Sequence, residues 1–108
     1  MNLLEMRCEA QHGAHPLSAQ TVTELLSHLP GWQVEGLELV KTFPFADYYK
    51  TMAFVNALAW IAHAEDHHPD MSVHYNRAVV RFSTHDAGGL TLNDFICAAK
   101  AEALLPAA

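Results

Sequence analysis

The stretch His67-His68-Pro69 decides the fold, together with Ser83-Thr84-His85 and Gly88-Gly89-Leu90-Thr91 further along the chain. Pro69 disfavours the α conformation at the residue before it, so a helix must end near the histidine pair. Residues 71–83 alternate apolar and polar side chains on both sides of Asn76-Arg77, which predicts a hairpin of two strands. The open end of that hairpin would bring the histidine pair close to the third histidine.

The segments before this region predict a helix and a first hairpin. Residues 21–29 place apolar side chains on one helical face behind an N-cap at Ser18, and Pro30-Gly31 ends that helix. Residues 32–43 predict two antiparallel strands around a tight turn at Glu35-Gly36, because glycine readily takes positive φ.

Two further helices complete the chain. Residues 47–66 predict the main packing helix, with Asp47 as its N-cap and apolar residues at spacings of four and three. Thr91-Leu92-Asn93-Asp94 has the pattern of a capping box with Asp at its fourth position, and residues 95–105 continue as a helix.

The predicted fold class is α+β with the element order αββαββα. A four-stranded antiparallel sheet needs one face covered, and three helices packed on that face can cover it. Residues 1–16 show no sustained periodicity and predict an irregular N-terminal arm. Residues 17–108 then form a single domain, since 108 residues are too few for two domains of typical size.

The composition predicts a soluble protein. The apolar fraction is 51% and the charged fraction 17%, as in globular proteins, and no apolar run approaches the length of roughly 20 residues that a membrane helix needs. The first residues lack the pattern of a secretory signal, so we expect a cytoplasmic location. Cys8 and Cys97 have no CxxC spacing and are expected to be free, reduced thiols.

The charge of the chain argues against direct binding to nucleic acid. The formal net charge is −6, and only six Lys and Arg residues are scattered along the sequence. A protein that binds the phosphate backbone needs a basic surface to replace its counterions.

Three histidines at the ends of predicted elements indicate either proton transfer or a metal site. Imidazole has an ordinary pKa of about 6.5 and can donate or accept a proton near neutrality. A metal-binding protein could use His63, His67 and His68, because the first two are four residues apart on a helix. The HExxH pattern of zinc proteases is not met, since the glutamate is Glu65.

Each of these residues also has a plain structural role. The charged form of His63, near a helix C-terminus, would interact favourably with the negative end of the helix dipole. One of the paired histidines can donate a hydrogen bond to a free carbonyl at the helix end. His85 can simply form a turn, while Asp94 caps a helix. The joint arrangement of all of them is more specific than any one of them.

Taken jointly, four stretches resemble the pterin-4a-carbinolamine dehydratase family, and the resemblance covers roughly residues 17–105. The stretches are His67-His68-Pro69, Tyr75-Asn76-Arg77, Ser83-Thr84-His85 and the segment from Gly88 to Asp94. Pro30-Gly31-Trp32 and the element order agree with that family. The resemblance implies a lyase that removes water from a 4a-hydroxytetrahydropterin and gives a quinonoid dihydropterin. It implies no metal and no cofactor.

The resemblance also implies roles for individual residues. His67 and His85 would be the catalytic acid/base pair, and His68 would belong to the catalytic set while chiefly binding and orienting the pterin. The other residues expected to bind the substrate are Pro69, Thr84, Asp86 and Ala87. Asp94 would support the site from the predicted helix cap.

The sequence leaves several hypotheses for the cellular role. A dehydratase of this kind would support tetrahydrobiopterin recycling for an aromatic amino-acid hydroxylase. The alternatives are a non-catalytic dimerisation or binding module of the same fold, which would present an exposed apolar surface, and a role in molybdopterin metabolism. The family resemblance further implies a homodimer or a homotetramer.

Overall fold

The computed structural model describes residues 2–10 and 14–106. Part of the predicted arm, residues 1 and 11–13, lies outside the described residues, as do residues 107 and 108. Over the described residues the element order is α1 (Ala19–Leu26), β1 (Gln33–Glu35), β2 (Glu38–Pro44), α2 (Tyr48–Glu65), β3 (Asp70–His74), β4 (Arg77–Phe82) and α3 (Leu92–Glu102). The predicted α+β class and αββαββα order are therefore confirmed.

The four strands form one antiparallel sheet in the order β1-β2-β4-β3. Each predicted hairpin pairs its own strands, and the two hairpins join through β2 and β4, where Leu39 lies opposite Phe82 and Phe43 opposite Ala78. These four side chains are almost fully buried, because they lie on the sheet face that the helices cover.

Capping residues set the ends of the helices much as the sequence indicates. The side chains of Ser18 and Asp47 accept hydrogen bonds from Thr21 N and Lys50 N at the starts of α1 and α2. α2 ends at Glu65, and its C-cap residue Asp66 has a left-handed conformation with φ 51°. The chain therefore leaves the helix immediately before the histidine pair.

Some predicted boundaries were displaced by a few residues. The first hairpin turns at Gly36-Leu37 and not at Glu35-Gly36, because Glu35 still pairs with Glu38 in the ladder. α1 ends at Leu26, three residues before the predicted end, since the hydroxyl and N–H of Ser27 both bond Glu24 O and tighten the last turn.

The predicted irregular arm contains a short 3-10 turn and is packed on the domain. Leu3–Glu5 forms this turn, and Leu3 is 5% exposed within the same hydrophobic core as Phe95 and Ala101 of α3. The lack of helical or strand periodicity in the sequence gave no sign that this apolar residue is anchored in the core.

Candidate active site

The three predicted histidines lie around one cleft. His67, His68 and His85 all line a cavity of about 190 Å³ at the open end of the β3–β4 hairpin. The histidine pair comes from the connection between α2 and β3, while His85 begins a 3-10 turn after β4. The prediction that the hairpin brings these side chains together is therefore confirmed.

His67 is held by two strong constraints. Its Nε2 lies 2.7 Å from Asp94 Oδ1, and its ring stacks nearly parallel to Phe82 with the centroids 6.0 Å apart. Only 11% of its side chain is exposed. The ring orientation is thus fixed while one edge still faces the cleft.

Asp94 is the buried support of this arrangement. Its carboxylate is completely buried, and Oδ2 accepts hydrogen bonds from Thr84 Oγ1 at 2.8 Å and from Thr91 N at 2.9 Å. The predicted capping box at the start of α3 is present in full. One residue therefore caps α3, fastens the loop after β4 and holds His67.

The pairing with Asp94 selects the tautomer of His67. An ionised carboxylate can only accept hydrogen bonds, so the proton of the neutral imidazole lies on Nε2. Nδ1 then keeps its lone pair. In this state His67 can accept a proton at Nδ1, and the imidazolium that forms is stabilised by the same carboxylate.

His68 and His85 are more open to solvent than His67. Both side chains are exposed, and His68 Nδ1 lies 3.3 Å from Pro69 O. Exposed imidazoles at the rim of a cleft can exchange protons with solvent and can rotate towards a bound molecule. They therefore suit contacts that form only when a ligand enters.

The remaining predicted site residues fall into two groups. Thr84 and Asp86 line the cleft. Pro69 and Ala87 are buried beside it and are not among its lining residues, because the chain turns them towards the protein interior. Direct contact between these two residues and a substrate stays a prediction.

Sequence reasoning missed four residues that line the cleft: Asp66, Asp70, Arg81 and Ser83. Arg81 alternates with the buried Val80 and Phe82, which places it on the other sheet face, and it lies opposite Asp70 in the strand register. Its Nη1 also lies 3.3 Å from Glu35 Oε1. The available signal was an arginine between two apolar residues of the strand.

His63, which the sequence offered as a ligand of an alternative metal site, lies outside the histidine cleft. This residue is exposed and packs against the Trp60 ring, with the centroids 5.6 Å apart, and it does not line the cleft. Within residues 2–10 and 14–106, no group of three or more His, Cys, Asp or Glu side chains is arranged to hold a metal ion. In the same part of the chain, no helix is both long and apolar enough to cross a membrane.

Glu65 links the end of α2 to the N-terminal arm. Only 5% of its side chain is exposed, and its two oxygens receive Cys8 N and Arg7 Nε, each at 2.8 Å. Burial alone would raise the pKa of the Glu65 carboxyl, but the Cys8 hydrogen bond and the Arg7 and Lys100 charges outweigh it and lower that pKa below its ordinary 4.5.

The lowered pKa predicts a pH-dependent contribution of Glu65 to stability. A carboxyl whose pKa is lower in the folded state stabilises the fold above its unfolded pKa, and that stabilisation is lost as the pH falls through the folded value. We expect Glu65→Gln to lower the free energy of unfolding by about 1 kcal/mol at pH 7. Denaturant titrations should show the difference from wild type shrinking below pH 4.5. A difference that is constant with pH would contradict this assignment.

The two cysteines lie against each other in the fold although they are far apart in the sequence. Both are free thiols, as expected, but Cys8 Sγ and Cys97 Sγ lie 3.5 Å apart. This contact and burial raise the pKa of Cys97, which keeps its thiol protonated. Their separation along the sequence hid the contact.

The chain matches a known protein family over most of its length. A profile of the family described as pterin 4 alpha carbinolamine dehydratase matches residues 15–104, a range that contains all three histidines and Asp94. The chain belongs to the pterin-4-alpha-carbinolamine dehydratase family. The family resemblance of the four sequence stretches is thereby confirmed.

Bacterial relatives match the sequence over almost the whole chain. A Chromobacterium violaceum protein with the provisional name pterin-4-alpha-carbinolamine dehydratase is 74% identical over 104 residues, which are 96% of each chain. A Stenotrophomonas maltophilia protein with the same provisional name is 62% identical over 105 residues, which are 94% of this chain and 90% of its own.

Two solved structures share the dehydratase fold. A transcriptional coactivator/pterin dehydratase from Brucella melitensis superposes with a TM-score of 0.80 at 34% identity, over 83% of this chain and 98% of its own. A pterin dehydratase-like protein, identified as a RuBisCO assembly factor in the alpha-carboxysome, gives a TM-score of 0.56 at 26% identity. That match covers 68% of this chain and 84% of the other.

Proposed function

We propose that this protein is a hydro-lyase that dehydrates 4a-hydroxytetrahydropterin to quinonoid dihydropterin. The observation that carries the proposal is the buried Asp94–His67 pair at the wall of a cleft that His68 and His85 also line. Such a pair fixes a proton acceptor at the edge of a cavity, which is what general acid/base catalysis requires. Membership of the dehydratase family supports the substrate class.

The reaction needs one proton donor and one proton acceptor. The bond between C4a and the hydroxyl oxygen breaks, and a proton delivered to that oxygen lets it leave as water. The proton on N5 is lost, and a double bond forms between C4a and N5. One proton is taken up and one is released with no change in oxidation state, so two imidazoles can perform the chemistry.

The geometry favours a division of labour among the three histidines. His67 and His85 form the acid/base pair, while His68 binds and orients the pterin. All three side chains line the same cleft, so each is placed to contact a ring that binds there. Thr84 and Asp86, which also line the cleft, offer hydrogen-bonding groups to the edge of the ring, and Asp94 supports the site through His67.

The physiological task that fits this chemistry is the recycling of tetrahydropterin for an aromatic amino-acid hydroxylase in the cytoplasm. A reconstituted system of such a hydroxylase, a quinonoid dihydropterin reductase and a limiting amount of tetrahydropterin should turn over faster when this protein is added. The exposed His28, which lies outside the cleft, provides a matched control: His28→Ala should stimulate as well as wild type, and His85→Ala should not. Failure of wild type to stimulate would count against the recycling role.

A binding role without catalysis is the competing candidate. The coactivator and the assembly factor that share this fold show that it serves other tasks. Exposed apolar side chains such as Trp60 and Tyr49, which are 70% and 81% exposed, offer a surface for a partner or for the expected homodimer or homotetramer. The well-supported His67 favours the enzyme, because an interaction module has no need of a fixed proton acceptor inside a cleft.

A further inference from the structure

The N-terminal arm places one free thiol directly against another on α3. Cys8 Sγ lies 3.5 Å from Cys97 Sγ, although the two residues are 89 positions apart in the sequence. The sulfur atoms of a disulfide are about 2.05 Å apart, so these two atoms need to approach each other by only about 1.5 Å. We call Cys8 and Cys97 the thiol pair.

Backbone contacts of the arm hold the thiol pair together. Cys8 N donates a hydrogen bond to Glu65 Oε1 at 2.8 Å, at the end of α2. At the next residue, Glu9 N donates to Asn93 Oδ1 at 3.1 Å, and Asn93 Nδ2 donates back to Glu9 O at 2.7 Å. Because these bonds fix the arm at Cys8 and immediately after it, the Cys8 thiol stays beside Cys97.

The two thiols differ in their access to small molecules. Cys8 is half-buried and lines a cavity of about 500 Å³, whereas Cys97 is fully buried. The hydrogen bond with Cys8 and burial raise the pKa of the Cys97 thiol, which keeps it protonated. The thiolate is the nucleophilic form of cysteine. Cys8 is therefore the thiol that an oxidant meets and oxidises first, and Cys97 is placed to react second.

We propose that the thiol pair is a redox site, which a hydroperoxide converts into a disulfide that fastens the N-terminal arm covalently to α3. Cys97 Sγ also lies 3.9 Å from His67 O, and His67 lines the same cavity as Cys8. Oxidation would therefore fix one wall of a cavity that adjoins the proposed proton acceptor. The thiol pair takes no part in the dehydration, and its oxidation can be measured without a pterin.

The oxidation proceeds in two steps, written here for hydrogen peroxide. The Cys8 thiolate attacks one oxygen, so that an S–O bond forms, the O–O bond breaks, and the departing hydroxide takes up the thiol proton as water. Cys97 Sγ then attacks the sulfur of the Cys8 sulfenic acid. The S–S bond forms, the S–O bond breaks, and the hydroxide leaves with the Cys97 proton as water. The two sulfur atoms together lose two electrons, which reduce the peroxide.

The disulfide should stabilise the fold and the attachment of the arm. It would close a loop of about 90 residues, and a cross-link over so long a loop restricts the unfolded chain strongly. We expect oxidation to raise the midpoint of thermal unfolding by about 10 °C or more. Hydrogen exchange at the amides of Cys8 and Glu9, which bind the ends of α2 and α3, should slow at least about tenfold.

Mass spectrometry tests the proposed linkage in the full-length protein. The reduced protein is treated with hydrogen peroxide, its remaining thiols are blocked with iodoacetamide, and it is digested with trypsin without reductant. Cleavage at lysine and arginine gives the peptides 8–41 and 82–100, each with one cysteine. We expect these two peptides to be joined, with a mass two hydrogen atoms below their sum. Dithiothreitol should separate them again.

Single cysteine variants test the order of the two steps. In Cys97→Ala the second thiol is missing, so Cys8 should accumulate as a sulfenic acid that dimedone labels at least about tenfold more than in wild type. In Cys8→Ala the buried Cys97 should react with peroxide at least about tenfold more slowly than Cys8 does in Cys97→Ala. Circular dichroism checks that both variants are folded, and Cys97→Ser replaces Cys97→Ala if the alanine variant is not.

The linked peptides in wild type decide the proposal whatever the variants do. A Cys8 that is oxidised to the sulfinic acid without linkage, or that forms disulfides only between two molecules, would overturn it. So would thiols that both resist peroxide in the folded protein. If the linked peptides form but hydrogen exchange in the arm is unchanged, the disulfide does not fasten the arm, and that part of the proposal is wrong.

Discussion

Replacing His67 by alanine is expected to lower kcat for carbinolamine dehydration by about 10²–10⁴-fold, the usual range for a positioned acid/base group. The expectation follows from its constrained geometry, in which Asp94 and Phe82 hold the ring at the wall of the cleft. A residual rate above background should remain, because His85 still lines the cleft.

The matched variant for this prediction is His67→Gln. Its amide can still donate a hydrogen bond towards Asp94, but unlike imidazole it cannot act as an acid or a base near neutral pH. Stopped-flow measurements should show the same loss of kcat as in His67→Ala, with a smaller loss of stability by denaturant titration. A glutamine variant with wild-type kcat would show that the ring is structural and takes no part in proton transfer.

The second large effect is expected from Asp94→Asn, which keeps the size of the side chain but changes its hydrogen bonding. Thr91 N must still be bonded by an oxygen at the position of Oδ2, so the amide NH₂ would replace Oδ1 and face His67. His67 would then have to accept at Nε2 and carry its proton on Nδ1. We expect kcat to fall by about 10²–10⁴-fold, because the proton acceptor is lost from the cleft.

The readout that distinguishes a positioning role from a structural one is the tautomer itself. Nitrogen chemical shifts of the His67 ring should show the proton on Nε2 in wild type and on Nδ1 in Asp94→Asn. Asp94→Ala should instead lower the free energy of unfolding by about 1–3 kcal/mol, since the buried Thr91 N–H is left without its acceptor. An unchanged tautomer with unchanged kcat in Asp94→Asn would refute the proposed support of His67.

The fold could be predicted well because local signals agree with the global arrangement. Asp47 and the sequence from Thr91 to Asp94 act as caps where they were expected, and Pro69 follows a helix end. The turn at Gly36-Leu37 was displaced by one residue, because glycine can occupy either position of a two-residue turn and the ladder decides between them.

The meeting of the three histidines could also be predicted, since it follows from one hairpin. What could not be predicted was the contact of the arm with the helix ends. Glu65 and Asn93 bind arm residues that are 57 and 84 positions away in the sequence, and no periodicity links such distant partners. The same reason hid the Cys8–Cys97 contact.

The most direct test of the account is the rate at which freshly generated 4a-hydroxytetrahydropterin loses water, followed by ultraviolet absorbance with and without the protein. The account predicts a first-order rate that rises linearly with protein concentration, is retained in His28→Ala, and falls strongly in both His67→Ala and His85→Ala. A rate that never exceeds the uncatalysed one, with a substrate that a known dehydratase consumes, would contradict the catalytic assignment and favour the binding role.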